Sequence, residues 1–219
     1  MELQDKPDFR TIASQLRLPE GAIGKEVGAT MNKGNRLMNL EAIKHLGISD
    51  NDNILEIGMG NGFFVKDILS AANDVNYYGC DFSGTMVEEA ILLNKSYEKN
   101  AHFLLAQAAS LPFEDGFFIK VLTVNTIYFW ENPSQTLAEI RRVLKPNGSL
   151  IISLRPKSLM DKLPFTEFGF TTYTKDNAVN LLGTNHFEII SAIEYDDDDL
   201  KFAGEIYKNS FLIIKVSKI

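Results

Sequence analysis

The chain has 219 residues, 45% hydrophobic and 23% charged, enough apolar material to bury a core and too much for a disordered or fibrous protein. Its 29 acidic residues against 22 basic ones give a formal net charge of −7, which opposes non-specific attachment to a nucleic-acid backbone. Cys80 is the single cysteine, which excludes an internal disulfide and any zinc cluster built from several thiolates.

In chain order, the polar amino-terminal segment MELQDKPDFR lacks the apolar stretch of a secretory signal. No run approaches the ~18 apolar residues of a membrane span, so a cytoplasmic protein without a membrane segment is expected. The first 50 residues are helical in pattern and punctuated by glycine. Leu37, Leu40, Ile43 and Leu46 recur at helical spacing, predicting a helix over 39–45 that Gly47 stops. From Ile54 onward short β-rich runs alternate with helical patterns. Strands are predicted at 54–57, 75–80, 102–106, 118–124 and 149–154, with helices at 63–72, 84–99, 133–144 and 175–182. Such alternation implies a mainly parallel sheet covered on both faces. The last two runs, 187–195 and 210–219, have no crossover helix between them and are expected to pair antiparallel, with the acidic run Asp196–Asp199 as a solvated tip. The expected fold is therefore α/β: a Rossmann-like, seven-stranded, mostly parallel sheet with an antiparallel C-terminal strand and an N-terminal helical prefix. We read residues 1–219 as one domain, with 1–50 as prefix or cap and 51–219 as the core.

The sharpest motif is ILEIGMGNGFF, residues 54–64, in which a buried strand runs through Gly58-Met59-Gly60-Asn61-Gly62 into a helix. Glycines serve where the chain turns sharply and a ligand approaches the backbone. Counted from Gly58, the sixth position of a dinucleotide fingerprint is Phe63 rather than glycine, and no Gly-Lys-Ser/Thr follows to make a P-loop. Glu56, just before the loop, would oppose a pyrophosphate and suit a cationic ligand. Asp81 ends the next strand, nineteen residues past Gly62, where a carboxylate can accept both hydroxyls of a ribose. Its other reading is a helix-start acid assisting a cap at Ser83. Loop and acid together point to an adenosine-containing ligand without a pyrophosphate.

With these motifs, and with GCDFSGTMVEEA (79–90), AQAASLPFEDGFF (106–118) and LAEIRRVLKPNGSLIIS (137–153), the chain resembles the class I S-adenosylmethionine-dependent methyltransferases over nearly all of residues 35–219. The style is similar to the small-molecule branch that includes ubiquinone and menaquinone C-methyltransferases. The resemblance implies S-adenosylmethionine as cofactor. Glu56, Gly58 and Gly60 would line its methionine part, with Met59, Asn61 and Gly62 of the same loop also binding the cofactor; Asp81 would hold the ribose, and Phe82 and Met86 would pack on adenine. Gln107 and Ala108 would meet the adenine edge, where the family often has Asp-Ala, and Asn125 would lie on the sulfonium side. A glutamine oxygen can still accept from the adenine amino group.

Methyl transfer from a sulfonium is an in-line displacement in which the protein aligns donor and nucleophile and excludes water, and no metal is expected. His102 and His186 fall at the amino ends of strands, opposite the face where such sheets bind ligands, and His45 precedes the first strand, so none is a catalytic candidate and no general base is identified. Substrate-side candidates are Tyr128, Trp130 and Arg155, after the fourth and fifth strands, and Met31 and Asn35, if the prefix folds over the cleft. Tyr128 and Trp130 read equally as packing, and Arg155 either as a receptor for an anionic substrate or as a salt-bridge partner. Asn125-Thr126-Ile127-Tyr128 lacks the Pro-Pro-aromatic motif of amino-methylating nucleic-acid enzymes, so the expected partner is a small molecule. The alternatives are a catalytically silent methyltransferase-like binding or regulatory protein and a nicotinamide-dependent oxidoreductase, the latter disfavoured by the glycine spacing.

Overall fold

A computed structural model describes residues 8–219; the first seven residues of MELQDKPDFR lie outside the described residues. Three helices come first, α1 (Phe9–Arg17), α2 (Gly21–Gly34) and α3 (Arg36–Leu46). Strands β1 (Asn53–Ile57), β2 (Asn76–Asp81), β3 (Ala101–Leu105), β4 (Phe118–Val124) and β5 (Leu144–Leu154) follow, separated by α4 (Val65–Leu69), α5 (Gly84–Leu93) and α6 (Pro133–Val143). Then come α7 (Lys157–Met160), α8 (Lys175–Thr184) and the long strands β6 (Phe187–Phe202) and β7 (Glu205–Lys218).

The seven strands form one sheet in the order β3-β2-β1-β4-β5-β7-β6. The first five pair in parallel, and β7 runs antiparallel to both β5 and β6. Chain order reverses between β1 and β4, opening a crevice at the carboxyl ends of those strands, the usual ligand position in such sheets. The apolar runs exist because both faces are buried. Ile54 of β1 and Leu122 of β4 face α3 and α4, while their neighbours Leu55 and Val121 face α6 and α8.

Local chemistry fixes the helix ends. Ser83, Asn132 and Thr174 each accept a backbone N–H at 3.1 Å as N-caps of α5, α6 and α8. Pro133 opens α6, where its missing N–H costs nothing, and Gly47 ends α3 in the left-handed region at φ 64°.

Several expectations need correction. The buried face of α3 is Met38, Asn39, Ala42, Ile43 and Leu46, and Leu37 is 42% exposed, because the true helix starts three residues earlier and its stripe is rotated. The predicted 63–72 helix shrinks to α4, and 84–99 breaks at Asn94 into a 3₁₀ turn at Lys95–Tyr97. The acidic run Asp196–Asp199 is not a hairpin tip. It lies inside β6, which continues to Phe202, and the turn falls at Ala203-Gly204. Pairing with the apolar strand β7 extends β6 through residues of poor strand propensity, at the cost of a register irregularity between Asp197 and Leu200.

Candidate functional site

At the switch point the β1 strand turns through three glycines in left-handed backbone conformation, Gly58 (φ 71°), Gly60 (φ 58°) and Gly62 (φ 67°). Their reasons differ. A Cβ on Gly58 would run into the Thr126 methyl, and one on Gly62 would come within 2.8 Å of Asn94 Nδ2. A Cβ on Gly60 meets nothing within 4 Å, so this residue borders open space.

That space is a cleft of about 470 Å³, floored by the ends of β1, β2 and β4 and roofed by the helical prefix. Of the residues predicted to bind the cofactor, Glu56, Gly58, Met59, Gly60, Asp81, Phe82, Met86, Gln107, Ala108 and Asn125 line it together. Asn61 and Gly62 stand behind the wall, Asn61 accepting a hydrogen bond from Asn32 Nδ2 at 3.0 Å. Among the substrate candidates, Met31, Asn35 and Trp130 line the cleft, so the prefix does fold across it. Tyr128 and Arg155 do not line it. The Tyr128 hydroxyl is buried, accepting the Arg155 backbone N–H and lying 3.1 Å from Asn125 Oδ1 and from the Arg155 carbonyl oxygen. The Arg155 side chain is turned inward and engaged by protein groups.

Sequence reasoning missed Leu16, Arg17 and Pro19 from α1 and its exit, Asn32 and Asn39 from α2 and α3, and Thr126, Phe129, Glu131 and Gln135 beyond β4. Asn32, Asn35 and Asn39 cluster where α2 passes through Asn35 into α3, and this run of amides was the available signal. Arg17 and Glu131 meet across the rim at 3.0 Å in an exposed ion pair. The histidines are elsewhere: His45 Nε2 lies 2.6 Å from the Tyr195 hydroxyl, His102 packs on Tyr78, and His186 precedes β6.

Two carboxylates dominate the electrostatics. Asp81 receives the Gly60 N–H at 3.0 Å on Oδ2 and the Ser83 N–H at 2.9 Å on Oδ1, so it both ties the glycine loop and assists the α5 cap. Each oxygen keeps a lone pair for a further donor. Burial raises its pKa to about 6 in spite of those N–H groups. Glu56, deeper still, accepts the Tyr77 hydroxyl at 2.6 Å, and burial, with Asp81 adding to it, raises its pKa to about 7. Two acids pressed toward neutrality in one cleft are a site prepared for positive charge. Cys80, between them in sequence, is buried, and its thiol is pushed well up by burial, which makes it an inert packing residue.

Residues 55–152 match the methyltransferase domain family. An uncharacterized methyltransferase of Bacillus subtilis, YdaC, is 31% identical over 130 residues, which span 59% of this chain and 71% of that protein. The chain belongs to the S-adenosylmethionine-dependent methyltransferases. The methyltransferase is also 28% identical over 198 residues to a demethylmenaquinone methyltransferase of Lactococcus lactis, covering 85% of this chain and 76% of the other. Its fold matches a chain from the solved complex between the Haloferax volcanii Trm112 methyltransferase activator and a methyltransferase, with TM-score 0.77 and 17% identity over 97% of this chain and 98% of that one. Among the described residues no helix is long and apolar enough to cross a membrane.

Trp130, the only tryptophan of the methyltransferase, lines the cleft and gives it a built-in reporter. Titration with S-adenosylhomocysteine is expected to change its emission saturably; a flat titration alongside calorimetrically detected binding would place the ligand away from Trp130.

Proposed function

We propose that the methyltransferase holds its cofactor across the switch-point cleft and transfers the methyl group to a small-molecule acceptor. The Asp81 carboxylate takes the ribose hydroxyls, Phe82 and Met86 flank adenine, and Gln107 and Ala108 meet its edge. The glycine loop and Glu56 receive the methionine part, with Asn125 on the sulfonium side. Met31, Asn35 and Trp130 border the acceptor. The described part of the 1–50 prefix, residues 8–50, acts as a cap on the 51–219 core. The observation that carries this reading is Asp81, bonded to the Gly60 and Ser83 amides with one free lone pair on each oxygen at the wall of the cleft. The open space at Gly60 and the two buried acids fit a cationic nucleoside without a pyrophosphate.

The bound cofactor supplies a methyl carbon already activated by positive sulfur. The chain's residues therefore need to hold donor and acceptor in line and keep water out. The prefix helices serve the second task, closing over the floor through the Asn32–Asn61 hydrogen bond and the Arg17–Glu131 pair. No histidine lines the cleft, which favours an acceptor that reaches it already deprotonated or nucleophilic as a neutral group. The similarity to a demethylmenaquinone methyltransferase and the −7 charge favour a small molecule over nucleic acid.

Replacement of Asp81 by alanine tests the reading. It removes two charge-assisted hydrogen bonds to the ligand and is expected to weaken S-adenosylhomocysteine binding by about 1–3 kcal/mol. Calorimetry showing wild-type affinity in a folded variant would overturn the ribose assignment. A screen of acceptors for S-adenosylhomocysteine release then identifies the acceptor class.

A further inference from the structure

Arg155, at the carboxyl end of β5, is 7% exposed and its guanidinium reaches three separate parts of the chain. Nη2 donates to the Gly34 carbonyl at 2.9 Å and to Asn35 Oδ1 at 3.2 Å, at the corner where α2 passes into α3. Nη1 donates to Asn209 Oδ1 of β7, and Asp197 of β6 stands 3.6 Å from Nη2 as its counter-charge. Its own backbone N–H donates to the Tyr128 hydroxyl, which lies 3.1 Å from Asn125 Oδ1. Two of the side chains reached in this way, Asn35 and Asn125, line the cleft from opposite sides.

Each partner is itself fixed. Asn209 Nδ2 donates to the Asp198 carbonyl at 3.0 Å, which turns its Oδ1 toward Arg155. The register irregularity after Asp197 is what frees that carbonyl, so the bulge in β6 presents both acceptors. Gly34 ends α2, where carbonyls lack intrahelical partners and the helix dipole favours a cation. The helix needs such support, because Gly24 and Gly28 in its interior lower its own propensity. They are present for closeness: a Cβ at Gly24 would strike Pro19, and one at Gly28 would crowd Met86.

We propose that Arg155 is a positioning residue for the reaction. It pins the α2–α3 corner, and with it Met31, Asn32 and Asn35, over the cofactor cleft, and the β6–β7 hairpin exists in its extended form to hold that arginine by Asp197 and Asn209. This rests on the cleft being the cofactor site. It assigns a task to the acidic run of β6 and removes Arg155 from the groups available to an anionic substrate. Lysine cannot replace it, since one ammonium has no planar fork to span carbonyl, amide and carboxylate at once.

The test uses the full chain with R155K, and with D197N as the milder variant that keeps the shape and removes the charge. Amide hydrogen exchange in the unliganded proteins and the dissociation constant for S-adenosylhomocysteine are measured together. Faster exchange confined to residues 28–39 is expected, with affinity weakened about tenfold in R155K and about threefold in D197N. Wild-type protection of residues 28–39 in both variants, or faster exchange spread evenly over the sheet, would reduce Arg155 to an ordinary strut and overturn the proposal. The exchange arm needs no ligand. Failure of the wild-type protein to bind S-adenosylhomocysteine would instead count against the cleft reading on which the proposal rests.

Discussion

S-adenosylmethionine is expected to bind more tightly as pH rises from 5.5 to 8, by about tenfold or more, with the change concentrated between 6 and 7. The cause lies in the two buried acids. Glu56 titrates at about 7 and Asp81 at about 6 in the ligand-free protein, so at pH 5.5 both are largely protonated. A ligand carrying a sulfonium and an ammonium favours their ionised forms, and binding in acid must release those protons. Above about pH 8 both acids are charged and the dependence flattens. Stability of the ligand-free protein runs in the opposite sense. The folded value of Glu56 lies above its ordinary 4.5, so its contribution is complete below about 4.5 and is lost as pH rises through about 7. E56Q, whose amide oxygen can still accept from Tyr77, should therefore be more stable than wild type at pH 8 by about 1–3 kcal/mol while binding the cofactor more weakly. Calorimetry across the pH range, with thermal melts of both proteins, checks both halves. Affinity that does not vary with pH would show that neither acid faces the positive charge. If both halves hold, the site is an instance of function maintained against stability.

The second large effect separates two glycines of one loop. G58A is expected to destabilise the fold by about 2–4 kcal/mol, because the new Cβ collides with Thr126 and the backbone stays at positive φ. That corresponds to a melting temperature lower by roughly 5–15 °C for a chain of this size. G60V should cost the fold less, since nothing lies within 4 Å of that position and the strain is confined to its own backbone. Its side chain instead enters the cleft, and loss of S-adenosylhomocysteine binding is the expected result. Melting curves and calorimetry on the two variants decide it. A G60V protein that binds normally would exclude this part of the loop from the ligand's path.

Most of the floor of the site was legible in the sequence because it is local. Glycine spacing, the acid at the end of β2 and the apolar strands report contacts made within a few residues, or a burial pattern repeated along a run. The roof was legible only in part: the prefix offered Met31 and Asn35, which do line the cleft, but its contacts join residues far apart in the chain. Asn32 reaches Asn61, Ser83 donates to the Pro19 carbonyl, and Arg155 reaches Gly34, and a single sequence carries no record of such pairs. Tyr128 and Arg155 were placed correctly at strand ends, but strand position does not reveal whether a side chain turns to the crevice or to the interior. The acidic run was misread for a related reason. Four aspartates disfavour a strand on their own, and only the neighbouring β7 and the buried guanidinium account for them.

The position of β7 between β5 and β6 has a consequence for biosynthesis. β6 leaves the ribosome before the strand that will join it to the sheet, and until β7 arrives β6 has no neighbour and β5 keeps an open edge. The final sheet is thus completed by insertion, not by addition at the rim. Because Arg155 has its counter-charge on this ribbon, the arginine that contacts Gly34 and Asn35, residues made well before the ribbon, waits for its partners on β6 and β7. A nascent chain can therefore pair its parallel strands first, and the contacts that hold Arg155 form only once β7 has been made.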